Sequence, residues 1–228
     1  VADQLADLDA TSTSGAAVRA GLWMAIATAT RPEGLAYFAA SLVILGLRSR
    51  RSLLPFAGTT IGALLPEILF RWFYYHDVLP NTFYVKVDYS SLTLARHGLA
   101  YLWEGLPSHL ALFIAGLAGA IWLSLRRAWD GRSVVAAAFV LTGLLVVVYT
   151  GGDHFRELRF FLPIVPFVLV LGSAAWGTLR RPWSGLVAAT IALVTFLSSV
   201  EHRALGATSS LVFGPAITAR WRAAGEWL

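Results

Sequence analysis

The run SVVAAAFVLTGLLVVVYT, residues 133–150, contains no charged side chain over its 18 positions. A helix needs about 20 residues, and not fewer than about 17, to cross the ~30 Å hydrocarbon core of a bilayer. Directly before the run stands RRAWDGR, residues 126–132, and directly after it stands GGDHFRELR, residues 151–159. The run therefore predicts a membrane-spanning helix that follows an arginine-rich connection on one side of the membrane and leads into a connection with an acid and a histidine on the other.

The composition of the whole chain indicates the same class of protein. Of its 228 residues, 57% are hydrophobic and 14% are charged, whereas soluble domains carry roughly 25% charged residues. The absence of cysteine excludes disulfides and thiolate metal sites. The net charge of +5 does not indicate nucleic-acid binding, because the arginines separate the apolar runs and do not share one face.

We therefore predict an all-α, polytopic membrane helix bundle. Apolar runs of helical length recur along the chain, and about seven of them are candidate transmembrane segments. They lie at 16–30, 33–47, 53–73, 107–125, 133–150, 159–179 and 184–200.

The arginines predict how this bundle is oriented. The connections 48–52, 126–132 and 180–182 hold eight arginines and a single acid, Asp130. They follow alternate segments, so they should share a side, and the excess of arginine indicates the cytoplasmic side. The opposite connections hold seven acids and all five histidines. We therefore predict that these opposite connections are extracytoplasmic.

The longest outer connection, residues 74–108, is rich in aromatic and branched apolar residues, which argues against disorder. We predict an interfacial amphipathic helix over 88–104. An eighth span is disfavoured because Asp88, Arg96 and Glu104 would each be costly at the bilayer centre.

Two polar pairs interrupt the apolar runs. Arg31 and Glu33 flank Pro32, which breaks a continuous helix. The bend joins two short helices at the surface or kinks one buried element, and its charges form a local ion pair or face a cavity. Glu67 stands four residues before Arg71 on one helix face, which predicts an ion pair near the outer surface or a group facing the bundle.

The stretch RWFYYHDVLPNTFYVKV, residues 71–87, is the first candidate site. His76, Asp77 and Lys86 flank a turn made by Pro80 and Asn81. So many different donors and acceptors on a rigid turn favour a binding site, and a polar helix exit is the simpler alternative.

The second candidate site is GGDHFRELRFFLPIVP, residues 151–166. Asp153, His154 and Arg159 on a short outer connection could bind a phosphate and position a nucleophile. A solvated turn is the alternative. The two sites together could hold a divalent metal between His76, Asp77, Asp153 and His154, although nothing in their spacing requires one.

With the bend TRPEGL at 30–35, these motifs resemble the GT-C type of multi-spanning bacterial glycosyltransferases. The nearest subgroup is similar to the terminal arabinofuranosyltransferases of the actinobacterial cell wall. That group has the forms R…YYGD-LPNT-Y-K and GGD…RF-P-P, so His76 stands where it usually has glycine.

The resemblance implies transfer of a sugar from a polyprenyl-phosphate donor to a cell-envelope glycan or lipid acceptor, in contact with membrane lipid. Asp77 and Asp153 are then the expected catalytic carboxylates. The residues expected to bind substrate are Arg31, Glu33, Arg71, His76, Asn81, Lys86, His154 and Arg159.

The resemblance also implies a domain division. Residues 1–200 are expected to be part of a GT-C-like membrane core, and 201–228 the start of an extracytoplasmic C-terminal domain. GT-C enzymes generally keep a key acid in the first outer loop, between their first two helices, and no such loop precedes Ala16. We therefore expect an internal piece of a longer protein, inactive by itself if that acid is the principal base.

Two other functions remain open from the sequence. A transporter or flippase for a lipid-linked or anionic substrate would also use an intramembrane Glu67 and outer arginines. Such transporters often contain inverted repeats, and the sequence has no evident repeat. A non-catalytic membrane scaffold is the third interpretation.

Overall fold

The computed structural model describes residues 14–78, 90–152 and 159–176, and all regular elements in these ranges are helical. The prediction of an all-α fold is confirmed for this part of the chain. The elements are α1 (Ser14–Thr30), α2 (Gly34–Arg48), α3 (Arg50–Tyr75), α4 (Ser91–Arg126), α5 (Gly131–Thr150), a 3₁₀ turn (Arg159–Phe161) and α6 (Val165–Trp176).

Three helical stretches are long and apolar enough to cross a membrane. They are α3, the part of α4 from His109 to Arg126, and α5. The first six predicted segments all coincide with helices. Helix α2, with 15 residues, is shorter than a full span, while α1 and α6 border residues that lie outside the described ranges. The seventh segment, 184–200, and the domain start at 201–228 lie outside the described residues. The count of seven spans therefore stays a prediction.

The bend at residues 31–33 joins two separate helices and does not kink a single one. The chain reverses there because the amide of Gly34 donates to the carbonyl of Arg31 (2.8 Å). A Cβ on Gly34 would lie 2.5 Å from the Cα of Thr28. The bend therefore requires glycine at this position, because the two helices touch through their backbones.

Helix α4 corrects one predicted boundary. The predicted interfacial helix at 88–104 and the predicted span at 107–125 form one helix of 36 residues, and Pro107 lies inside it. At 1.5 Å per residue this helix is about 54 Å long, well beyond the ~30 Å of hydrocarbon. The half before His109 therefore extends past the apolar stretch.

The first half of α4 is held by protein contacts. A Cβ on Gly98 would lie 2.5 Å from the carbonyl oxygen of Val147, so the backbones of α4 and α5 touch there. Leu94 and Tyr101 are buried on the same face, while Arg96 and Glu104 are exposed. The prediction treated this segment as resting on the membrane surface and missed its packing on α5, because a sequence pattern does not identify what covers an apolar face.

Successive helices run in opposite directions. Helices α2 and α5 are antiparallel, because Tyr37 near the start of α2 contacts Phe139 (5.1 Å between ring centroids), while Leu45 near its end shares a buried cluster with Val135. The turns at 48–52 and 126–132 therefore lie at one end of the bundle, here called the arginine end. The bend at 31–33, Gly151–Gly152 and the 3₁₀ turn lie at the opposite end, here called the bend end.

Candidate functional site

The bend end brings two of the three sequence motifs into contact. The guanidinium of Arg31 lies over the ring of Phe160, 5.3 Å from its centroid. Arg31 also pairs with Glu33, at 3.5 Å from Nε to the carboxylate, with 41% of the arginine side chain and 21% of the glutamate side chain exposed. The predicted local ion pair is therefore confirmed, and Arg31 stays partly accessible.

The 3₁₀ turn is fixed by aromatic packing on α4. The amide of Phe160 donates to the hydroxyl of Tyr101 at 3.3 Å. Phe161 is 1% exposed, and its ring stacks on the rings of Tyr101 and His109, with centroids 5.9 and 4.8 Å away. Because Phe160 and Phe161 are anchored, the backbone of Arg159 at the start of the turn is anchored as well.

Two glycines begin the connection from α5 to this turn. Gly151 and Gly152 have φ of +75° and +80°, which residues with a Cβ seldom adopt. A Cβ on Gly152 would also lie 2.7 Å from the Cβ of Tyr101. The two glycines therefore let the chain leave α5 while it stays against α4.

The third motif, residues 71–87, contains the end of α3. His76 is the residue after the helix and has φ +55° and ψ +24°, and its amide donates to the carbonyl of Trp72 at 3.1 Å. This left-handed conformation favours glycine. Histidine is therefore held here in a strained backbone conformation.

We expect His76→Gly to stabilise the fold by about 1 kcal/mol, because the left-handed conformation costs a residue with a Cβ roughly that much. Thermal unfolding in a neutral detergent measures this effect. The matched control is Val78→Gly, two residues further on, which should not stabilise. An unchanged or lower unfolding temperature for His76→Gly would show that the imidazole makes contacts that outweigh the strain.

The predicted pair on α3 is also formed. Arg71 donates from Nε and from Nη2 to one oxygen of Glu67, at 2.9 and 2.6 Å, and about a third of each side chain is exposed. Glu67 lies 17 residues after Arg50, or about 26 Å along the helix. The pair therefore lies in the half of α3 toward the bend end.

Of the ten predicted site residues, four lie outside the described residues: Asn81, Lys86, Asp153 and His154. The structure joins Arg31 to Glu33 and brings Arg31 against the residue next to Arg159. Asp77 is half-buried just after α3. Whether Asp77 approaches Asp153 and Lys86 stays a prediction.

The described residues contain no group of three metal-binding side chains. The suggested cation site would need Asp153 and His154 in addition to His76 and Asp77, so it is untested. Arg31 and Arg71 each form an ion pair within the protein, with Glu33 and Glu67 respectively.

Sequence reasoning missed two residues that position the site, Tyr101 and His109. Tyr101 was placed in the long outer loop and His109 in the predicted span 107–125, and neither was assigned a contact. A buried tyrosine hydroxyl usually finds a hydrogen-bond partner, so a tyrosine in an apolar helix was a usable signal. The ring stacking of His109 on Phe161 had no comparable signal in the sequence.

Within its described residues the protein is thus α-helical, with three stretches that can cross a membrane and polar side chains gathered at the bend end. No family model, curated protein or solved structure matches the chain.

Proposed function

We propose that this protein is a GT-C-type glycosyltransferase. It transfers a sugar from a polyprenyl-phosphate donor to a hydroxyl of a cell-envelope glycan or lipid, on the extracytoplasmic face of a bacterial plasma membrane. The contact that supports this proposal most is the Arg31 guanidinium over Phe160, because it joins the TRPEGL bend to the RFFLP element beside Arg159.

The proposed reaction explains why these groups are needed. The acceptor oxygen attacks the anomeric carbon, the bond from that carbon to the phosphate oxygen breaks, and polyprenyl phosphate leaves. A carboxylate takes the acceptor proton, and fixed cations stabilise the charge that develops on the phosphate. Arginine suits this task because its fork of donors matches phosphate oxygens.

Arg31 is the cation best supported for the phosphate. Its ring contact and its pairing with Glu33 orient the guanidinium, while the 41% exposure of its side chain leaves room for a ligand. Arg159 is the second cation, since the anchored 3₁₀ turn begins at that residue. Asp77 and Asp153 are the proposed proton acceptors, each following an element end at the bend end.

The lipid part of the donor also has a suitable surface. Three aromatic residues in the last turn of α3 are each more than 60% exposed: Phe73, Tyr74 and Tyr75. Tyrosine at this depth has an apolar ring for acyl chains and a hydroxyl for the headgroup region. A prenyl tail could therefore lie along α3 while its phosphate reaches the polar groups at the bend end.

The test uses membrane vesicles that contain the protein and a radiolabelled polyprenyl-phosphate sugar, with envelope extract as acceptor. We expect label to move into the glycan or lipid fraction, and no transfer from a soluble nucleotide sugar. A donor that crosses the vesicle membrane with its sugar still attached would instead identify a flippase. Neither transfer nor movement would reject both functions and favour a scaffold.

A further inference from the structure

The arginine end concentrates positive charge that the proposed transfer reaction does not use. The turn between α2 and α3 carries three arginines, and the turn between α4 and α5 carries three more, with a single acid between them. All six are exposed, and antiparallel packing of α2 on α5 brings the two turns to one end. They are Arg48, Arg50, Arg51, Arg126, Arg127 and Arg132.

The single acid in the two turns, Asp130, is partly engaged in the fold. Asp130 begins α5, and its Oδ1 accepts a hydrogen bond from the amide of Ser133 at 2.8 Å. Helix capping of this kind satisfies an otherwise unpaired donor of the first turn. One carboxylate oxygen is thus engaged in the fold, and the two turns keep a strong excess of positive charge.

The arginines stand at the edge of an apolar surface. Leu47, Leu54 and Leu125, beside the two turns, are exposed by 82%, 79% and 76%. Two indoles lie at the same level: Trp122 under the guanidinium of Arg126 (4.7 Å), and Trp129, which donates to Ser124 at 3.2 Å. Tryptophan concentrates at the boundary between hydrocarbon and headgroups, so this edge has the chemistry of a membrane surface.

One of the arginines is kept at a conformational cost. Arg127 ends α4 with φ +51°, and its amide donates to Ser124 (3.2 Å) while the amide of Ala128 donates to Leu123 (2.9 Å). Glycine is the usual residue at this position of such a helix end. An exposed arginine there is not explained by packing, and a strained residue on a surface is a reason to seek a function for its side chain.

We propose that the arginine end binds the phosphate headgroups of anionic phospholipids. The exposed leucines contact the acyl chains, the indoles lie among the headgroups, and Arg51 and Arg127 contact the phosphates. This contact is separate from the proposed sugar transfer at the other end of the bundle. Its partner is a lipid surface, because the basic groups border apolar side chains that a soluble anion or a nucleic acid would leave uncovered.

The test measures lipid binding to the purified full chain in a neutral detergent, by native mass spectrometry with phosphatidylglycerol and with phosphatidylcholine. We expect clear preference for phosphatidylglycerol. Arg51→Gln and Arg127→Gly should each weaken its binding about fivefold, which is the usual contribution of one basic residue near an anionic surface. Arg127→Gly should at the same time leave the unfolding temperature unchanged or raise it, so a loss of binding cannot come from misfolding.

The matched control is Arg96→Gln, an exposed arginine in the first half of α4, about 45 Å along the helix from Arg126. It should bind phosphatidylglycerol as the unmodified protein does. Equal binding of the two lipids, or equal losses for Arg96→Gln and Arg51→Gln, would overturn the proposal. The proposal would also be overturned if millimolar inorganic phosphate or RNA displaced the bound phosphatidylglycerol more strongly than added phosphatidylglycerol does, because the site would then prefer a different anion.

Discussion

Arg31→Ala should reduce sugar transfer about a hundredfold, at the lower end of the effect of removing one fixed electrostatic contact from a developing negative charge. The lower end applies because Arg31 is partly exposed, so water screens its charge. Arg31→Lys should recover part of the loss, since lysine keeps the charge but not the fork of donors. The measurement is the initial rate of label transfer from the polyprenyl-phosphate donor at matched protein levels.

The same substitution should have little effect on the fold. An exposed ion pair contributes about 0–1 kcal/mol, and an exposed cation–ring contact about 0.5–1 kcal/mol. An unchanged unfolding temperature would therefore show that the loss of transfer comes from the missing side chain and not from misfolding. Arg96→Ala serves as the control for charge, because Arg96 is exposed on α4 and has no role in the proposed site. Transfer by Arg31→Ala within a factor of two of the unmodified protein would remove Arg31 from the reaction.

Gly119→Ala should destabilise the protein by about 1–3 kcal/mol, as overpacking of a close contact commonly does. Helices α4 and α6 run in parallel and touch through Gly116 and Gly119. A Cβ on Gly119 would overlap the backbone carbonyl of Leu171, which cannot move unless the two helices separate. Unfolding by heat or by a denaturing detergent measures the loss.

The neighbouring glycine provides an internal comparison. A Cβ on Gly116 would lie 2.7 Å from Cγ1 of Val168, a side-chain atom. Val168→Ala should therefore restore stability in the Gly116→Ala background but not in the Gly119→Ala background. Gly62→Ala is the control, because nothing lies within 4 Å of a Cβ there, and alanine is favoured over glycine in a helix by about 1 kcal/mol. Rescue of both variants, or of neither, would show that the helices meet differently.

The sequence by itself determined the class of fold and most helix positions. Apolar runs such as 133–150 favour buried or lipid-facing helices, and each described helix coincides with a segment that was predicted to be helical. It also predicted the two ion pairs, Arg31 with Glu33 and Glu67 with Arg71, because both are set by local spacing.

Only the tertiary structure decided which segments meet. Arg31 contacts Phe160 across 129 positions of the chain, and no local pattern indicates such a pairing. The continuity of α4 through Pro107 was also beyond the sequence, since a proline predicts a break, yet packing on α5 and α6 holds both halves in one helix. The physical reason is the same in both cases: periodicity shows that a face will be covered, while the helix that covers it is chosen by contacts between residues far apart in the chain.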